Sequence, residues 1–177
     1  MSSENSIPVT IRKAIETDIP MLVSIKGAGS EIIHQDRLRD AQEESFDYFV
    51  LLAEERVVGF ACLVYRRPKY WSDAQDENYL PQVVDLQIEE AHRGRGYGSE
   101  FLRLLEKMAA EAGSTHLYIA VDPVDNPRAQ ALYLRLGYQP IQSSPYRRSW
   151  HFTDSQGNLH RGEDWIIDLV KKLPGAR

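Results

Sequence analysis

Among 177 residues there is one cysteine, Cys62, so an intrachain disulfide and a cysteine-rich metal site are both excluded. It lies in an apolar run, where a buried and inert thiol is expected. No apolar stretch approaches the ~20 residues that cross a bilayer. Nor does a basic segment lead into an apolar one near the N-terminus, so a cytoplasmic protein without membrane attachment is expected. Positive charge is not in excess: 21 Lys and Arg face 26 Asp and Glu, a formal net charge of -5. That balance argues against a general nucleic-acid binder, and an anionic ligand would need donors gathered locally. The histidines, His34, His92, His116, His151 and His160, are scattered without metal-ligand spacing, so no metal is expected. Repeats, low-complexity tracts and linkers are also missing. With 42% hydrophobic residues, the chain can bury a core as one domain. That domain is placed at residues 9–173, between a flexible N-terminus at 1–8 and a tail at 174–177.

Periodicity then orders the elements. Val9 to Ala14 reads as a strand, followed by Thr17 as a helix N-cap with Pro20 in the first turn and Ile19, Leu22, Val23 and Ile25 on the apolar side. Glu31 to Ala41 is a charged helical stretch. Tyr48 to Ala53 and Val57 to Tyr65 form a hairpin around Glu54, Glu55 and Arg56, and Arg66 to Asn78 is a polar loop. Val83 to Ile88 alternates, placing Val84, Leu86 and Ile88 on one face and Asp85 and Gln87 on the other. Phe101, Leu105, Met108 and Ala112 recur at helical spacing up to Gly113. Leu117, Ile119 and Val121 mark a strand. Asn126 and Pro127 open a short helix with Ala129, Leu132, Tyr133 and Leu136 as its stripe and Gly137 at its end. Two late strands, Trp150 to Thr153 and Trp165 to Val170, flank a turn near Gly157. This order implies a mixed α/β sheet with helices on both faces.

The segment Arg93-Gly94-Arg95-Gly96-Tyr97-Gly98-Ser99 separates the alternating strand from an amphipathic helix. Glycines allow a tight turn, and successive amides at a helix N-terminus can each donate to a phosphate oxygen with the helix dipole behind them. A Walker A loop would end in Gly-Lys-Ser/Thr, which Tyr97-Gly98-Ser99 does not. A dinucleotide fingerprint would meet Ser99 in place of its third glycine and Tyr118 near the position of its ribose-binding acid.

Leu86-x-Ile88 followed by Arg93-x-x-Gly96-x-Gly98 resembles the acetyl-CoA signature of the GNAT superfamily, and Asn126-x-x-Ala129-x-x-Leu132-Tyr133-x-x-x-Gly137-Tyr138 resembles its later motif. The resemblance runs from about Val9 to Leu173. It implies the GNAT fold, an α/β architecture with a mixed, mostly antiparallel central sheet splayed at the acetyl-CoA site. By the same resemblance the cofactor lies against Leu86, Gln87, Ile88, Arg93, Gly94, Arg95, Gly96, Tyr97, Gly98 and Ser99, and against Asn126, Ala129 and Tyr133. It further implies direct attack of a primary amine, of a small molecule or peptide, on the thioester, and homodimers are common among relatives. The rival reading is an acyl-CoA-binding sensor of the same fold without turnover.

An alkylamine of pKa ~10.4 is almost wholly protonated at pH 7, so freeing it costs about 4 to 5 kcal/mol. Asp85, in the strand bordering the cleft, is the first candidate base and Glu31 the second, although an exposed strand carboxylate is an equal reading of Asp85. Tyr133 is the candidate acid for the departing thiolate, by resemblance. Tyr70, Trp71, Tyr79 and Trp150 could line an amine pocket or serve in packing.

Overall fold

A computed structural model describes residues 7–43, 46–66 and 79–175. Most of the segment expected to be a flexible N-terminus, the loop after Arg66 with Tyr70 and Trp71, and the end of the tail lie outside them.

β1 (Val9–Lys13), β2 (Phe46–Ala53), β3 (Arg56–Val64) and β4 (Gln82–Ile88) pair antiparallel in sequence order. β4 then runs parallel to β5 (His116–Val121), and β5 pairs antiparallel with the long β8 (Leu159–Lys172). The short β6 (Gln139–Pro140) and β7 (Tyr146–Thr153) both lie along β8. β3 is buried along nearly its whole length because helices cover both faces of the sheet, which explains its continuous apolar run. Glu54 and Glu55 turn the β2–β3 hairpin at φ of 50° and 65°, a conformation that costs a residue with a Cβ about 1 kcal/mol or more.

α1 (Ile19–Lys26) and α2 (Glu31–Asp40) cover one face, where Leu22 and Ile25 pack with Tyr48, Phe60 and Cys62. α3 (Tyr97–Glu111) and α4 (Pro127–Arg135) cover the other, where Phe101, Leu102 and Leu105 meet Leu117, Ile119 and Leu169. Each such fully buried side chain contributes about 1.5 to 3 kcal/mol by leaving water. Tyr138, fully buried beyond α4, donates to Glu106 at 3.0 Å, and Glu106 also accepts from Lys171 at 2.8 Å, tying α3 to β8.

Several local expectations are corrected. Thr17 sits inside a short 3-10 turn, Glu16–Asp18, and the position before α1 is Asp18, whose carboxylate accepts from Arg12 and from the Ile15 amide. The late strands are longer than their aromatic cores suggested, since cross-strand pairing continues from Tyr146 opposite Ile166 out to Thr153 opposite Leu159. The alternation of β4 also breaks. Phe60 pairs with Gln87 and Cys62 with Val84, so a bulge leaves Asp85 at φ 52°. Val84 therefore joins the α1–α2 core while Leu86 and Ile88 pack toward α3.

Candidate active site

β4 and β5 pair only at Gln82–Tyr118 and Val83–Ile119 and then part. Beyond the bulge, the β5-facing edge of Leu86 to Ile88 has no strand partner, and the gap widens into a cleft of about 1040 Å³. This volume is at the upper end for small-molecule sites.

One wall is the loop into α3. Gly94 and Gly96 take φ of 71° and 90°, conformations that a Cβ disfavours, and Gly96 precedes the helix in the left-handed region. The first amides of a helix have no intrahelical acceptor and face outward with the dipole. Gly98 is the second residue of α3. A Cβ there would touch Leu132 on α4 at 3.4 Å and Ile88 at 3.9 Å, so a larger side chain would fill the space between α3, α4 and β4. Arg93 donates from Nε to the Ile88 carbonyl at 2.9 Å, which folds its guanidinium onto the end of β4 beside the cleft.

α4 forms the opposite wall. Asp122 ties the preceding loop, its carboxylate accepting from the amides of Val124 and Asp125 at 2.8 and 2.9 Å. Asn126 occupies the N-cap position of α4 without a side-chain capping bond, and its exposed side chain borders the cleft. Tyr133 is buried and lines the cleft, and burial pushes its hydroxyl up to about 12, so it stays protonated at neutral pH.

Of the residues expected at the cofactor, Leu86, Gln87, Ile88, Arg93, Gly94, Gly96, Gly98, Ser99, Asn126, Ala129 and Tyr133 all line this cleft. Arg95 and Tyr97 do not. The Tyr97 ring packs in the core and against His92, and Arg95 lies over that ring at 5.7 Å on the surface. Tyr97 points inward because it begins the stripe that continues through Phe101 and Leu105.

The expected bases fare differently from Tyr133. The Asp85 carboxylate accepts from Lys26 at 2.7 Å, Arg37 at 2.6 Å and Gln87 at 2.6 Å. Burial alone would raise its pKa, but the charges of Arg37 and Lys26 and the bonds from Lys26 and Gln87 outweigh it and hold the carboxyl well below the usual range. So caged, it is a weak proton acceptor. Glu31 is exposed on the first turn of α2, accepts from Gln35, and does not line the cleft. Beneath the cage, the Tyr48 hydroxyl is 2.6 Å from Nδ1 of the buried His34, and Arg37 lies 5.8 Å above the Tyr48 ring. Burial, reinforced by Arg37 and Lys26, lowers His34 to about 4. Cys62 is buried as expected, and burial raises its thiol to about 11. Tyr79 packs near Tyr118, 5.6 Å between ring centres.

No sequence signal marks Lys26 and Arg37, nor Arg148, Asp164 and Ile166, which also line the cleft or its cage. Lys26 and Arg37 are 59 and 48 residues from their shared partner. Only tertiary packing makes them neighbours.

Residues 18–138 match the family described as "Acetyltransferase (GNAT) family". Streptothricin acetyltransferase of Streptomyces lavendulae is 27% identical over 104 residues, 59% of this chain and 50% of that protein. The chain spans half or less of the length of the curated relatives it matches. Among solved structures, a ribosomal-protein-alanine N-acetyltransferase from Brucella melitensis has a TM-score of 0.65 at 19% identity, covering 93% of this chain and 99% of that one. yncA, described as a putative acetyltransferase from Salmonella typhimurium with its cofactor acetyl-CoA, has a TM-score of 0.62 at 16% identity, covering 94% and 95%. With a splayed sheet, a glycine cradle at α3 and a family match across most of its length, the chain belongs to the GNAT acetyltransferase family, whose co-substrate is acetyl-CoA.

Proposed function

We propose that this protein transfers the acetyl group of acetyl-CoA directly to a primary amine of a small molecule or peptide. The observation that carries the reading is the opening between β4 and β5, with a helix N-terminus at one end and Tyr133 inside. The residues present suit acetyl-CoA. The amides of residues 97–99 would bind its pyrophosphate, each charge-assisted bond contributing about 1.5 to 3 kcal/mol. The free edge of Leu86 to Ile88 would pair with its amide-bearing arm as an added strand would. Bound there, acetyl-CoA supplies an activated thioester carbon.

The amine nitrogen forms its bond to that carbon, the carbon–sulfur bond breaks, and the products are an N-acetyl amide and the free thiol. Tyr133 donates its proton to the departing sulfur and its phenolate is then reprotonated from solvent; burial holds the hydroxyl protonated beforehand and, by raising its pKa, keeps its acid contribution modest. The amine's own proton passes to water in the cleft. Asp85 contributes by position, since its cage links α1 and α2 to the bulge that sets the direction of Leu86. Cys62 is buried and holds its proton, which supports a route without an acetylated enzyme.

The test pairs acetyl-CoA calorimetry with a panel of amines read by thiol release and by the mass of the acetylated product. Binding plus transfer to at least one amine, retained in Cys62→Ala, is expected. Acetyl-CoA binding without transfer to any amine would make the protein a binding module, and no binding at all would sink the cofactor assignment.

A further inference from the structure

The register of β7 on β8 sorts the hairpin into two faces. Arg147, Ser149, His151 and their partners Trp165, Glu163 and Arg161 are exposed on one. On the other, Arg148 pairs with Asp164, Trp150 with Gly162 and Phe152 with His160. This second face continues the cleft, because Arg148, Asp164 and Ile166 line it. Further out, the rings form a ladder: Trp150 stacks with Phe152 at 6.1 Å and 21°, and Phe152 with His160 at 4.7 Å and 10°. The indole lies over Gly162 so closely that a Cβ there would sit 2.5 Å from it, yet Trp150 remains 36% exposed. The hairpin tip is fixed. Asp154 accepts from the amides of Gln156 and Asn158 and from His160, and the Ser155 amide donates to Asp36 on α2 at 2.9 Å. The hairpin thus reaches to α2, the helix that supplies Arg37 to the Asp85 cage.

The carboxylates of the cleft narrow where an ammonium could sit among its arginines, of which Arg148 lies opposite Asp164 on the hairpin. Among the described aspartates of the cleft, Asp85 is caged, Asp122 serves two loop amides, and Asp125 lies on the loop before α4. Asp164 is the one carried by the hairpin, beside the aromatic ladder. We propose that the inner face of this hairpin is the acceptor platform, with Asp164 holding the ammonium of an amine tethered to a flat aromatic ring and Trp150 stacking on that ring. The proposal rests on the acetyl-transfer reading above and assigns its acceptor class.

The experiment measures binding to the full-length chain loaded with CoA, in which no transfer can occur. Calorimetry compares tryptamine, which carries the ring, with butylamine, which does not. Aromatic stacking worth about 0.5 to 1.5 kcal/mol predicts about 2- to 12-fold tighter binding of tryptamine. Trp150→Ala should erase the preference. Gly162→Ala should do so with the indole still present, because the new Cβ displaces it, and Trp150→Phe should keep part of it. Asp164→Asn should weaken both amines about 10-fold or more. CoA affinity, measured first in every variant, reports that the fold and the cofactor half are intact, and Trp150→Phe and Gly162→Ala carry the test if Trp150→Ala does not fold. Failure of CoA to bind the parent overturns the acetyl-transfer reading itself. CoA binding with no preference for tryptamine, or a preference that survives Gly162→Ala and Trp150→Ala, overturns the platform.

Discussion

The two halves of the cleft are built by different means. The cofactor half is made largely of backbone: the unpaired edge of Leu86 to Ile88, the turn through Gly94 and Gly96, and the first amides of α3. Its parts are adjacent in sequence. The half proposed for the acceptor is made of side chains from distant segments, with Lys26 on α1 and Arg37 on α2 caging Asp85, and the hairpin brought over to Asp36. A backbone cradle binds a group common to every reaction, whereas side chains can change one acceptor for another without disturbing the cradle. The comparison teaches that a lesion in the first half should remove all activity and one in the second should redirect or retune it.

The strongest test of that division is Gly98→Val. Filling the passage beside Leu132 and Ile88 should cost about 10³-fold in acetyl-CoA affinity, the equivalent of losing two charge-assisted bonds, while far-ultraviolet circular dichroism keeps the parent's spectrum. Affinity within a few-fold of the parent would break the comparison, because the cradle would then not depend on its glycine.

Tyr133→Phe sharpens it from within the cleft. The ring remains to pack while the hydroxyl is removed, so turnover should fall about 10²-fold with acetyl-CoA affinity within ~3-fold. Steady-state kinetics on any acceptor found by the amine panel, together with calorimetry, read both numbers. Equal losses in turnover and affinity would assign Tyr133 to the cradle and not to the chemistry.

The smallest expected effect tests whether the acceptor half owes its shape to buried electrostatics. His34 titrates at about 4 in the fold against ~6.5 when unfolded, so the unfolded chain binds more protons between those values. Its contribution is fully present above about pH 6.5 and is lost as pH falls toward 4. Urea unfolding should show stability dropping by about 1 to 2 kcal/mol from pH 7 to pH 5, and His34→Gln should flatten that slope. A slope unchanged in the variant would place the pH dependence elsewhere.

Legibility followed the same division. The glycine loop, the alternation around it and the Asn126 to Tyr138 block carry their chemistry in contiguous residues, and eleven of the thirteen expected cofactor residues line the cleft. The ring of Tyr97 turns into the core, leaving only its amide for the loop's ligand, because a position in a phosphate loop can also be the first position of a helix's buried stripe. The charge state of Asp85, the first candidate base, is not legible from its own strand, because the Lys26 and Arg37 that cage it lie in other elements. The burial of Cys62 is legible because it sits in an unbroken apolar run, the pattern of a strand covered on both faces.

By itself the sequence determined which segments are strands and helices and where glycines bring backbone amides to an anion, because periodicity, turn preference and positive φ are local properties of the chain. Tertiary structure alone decided the β4 bulge, the charge state of Asp85 and His34, and the placement of Asp164 in the cleft wall with Trp150 on the same face of the hairpin. Each depends on partners tens of residues away, where register, desolvation and Coulomb interaction are set only once the sheet and its covering helices have packed.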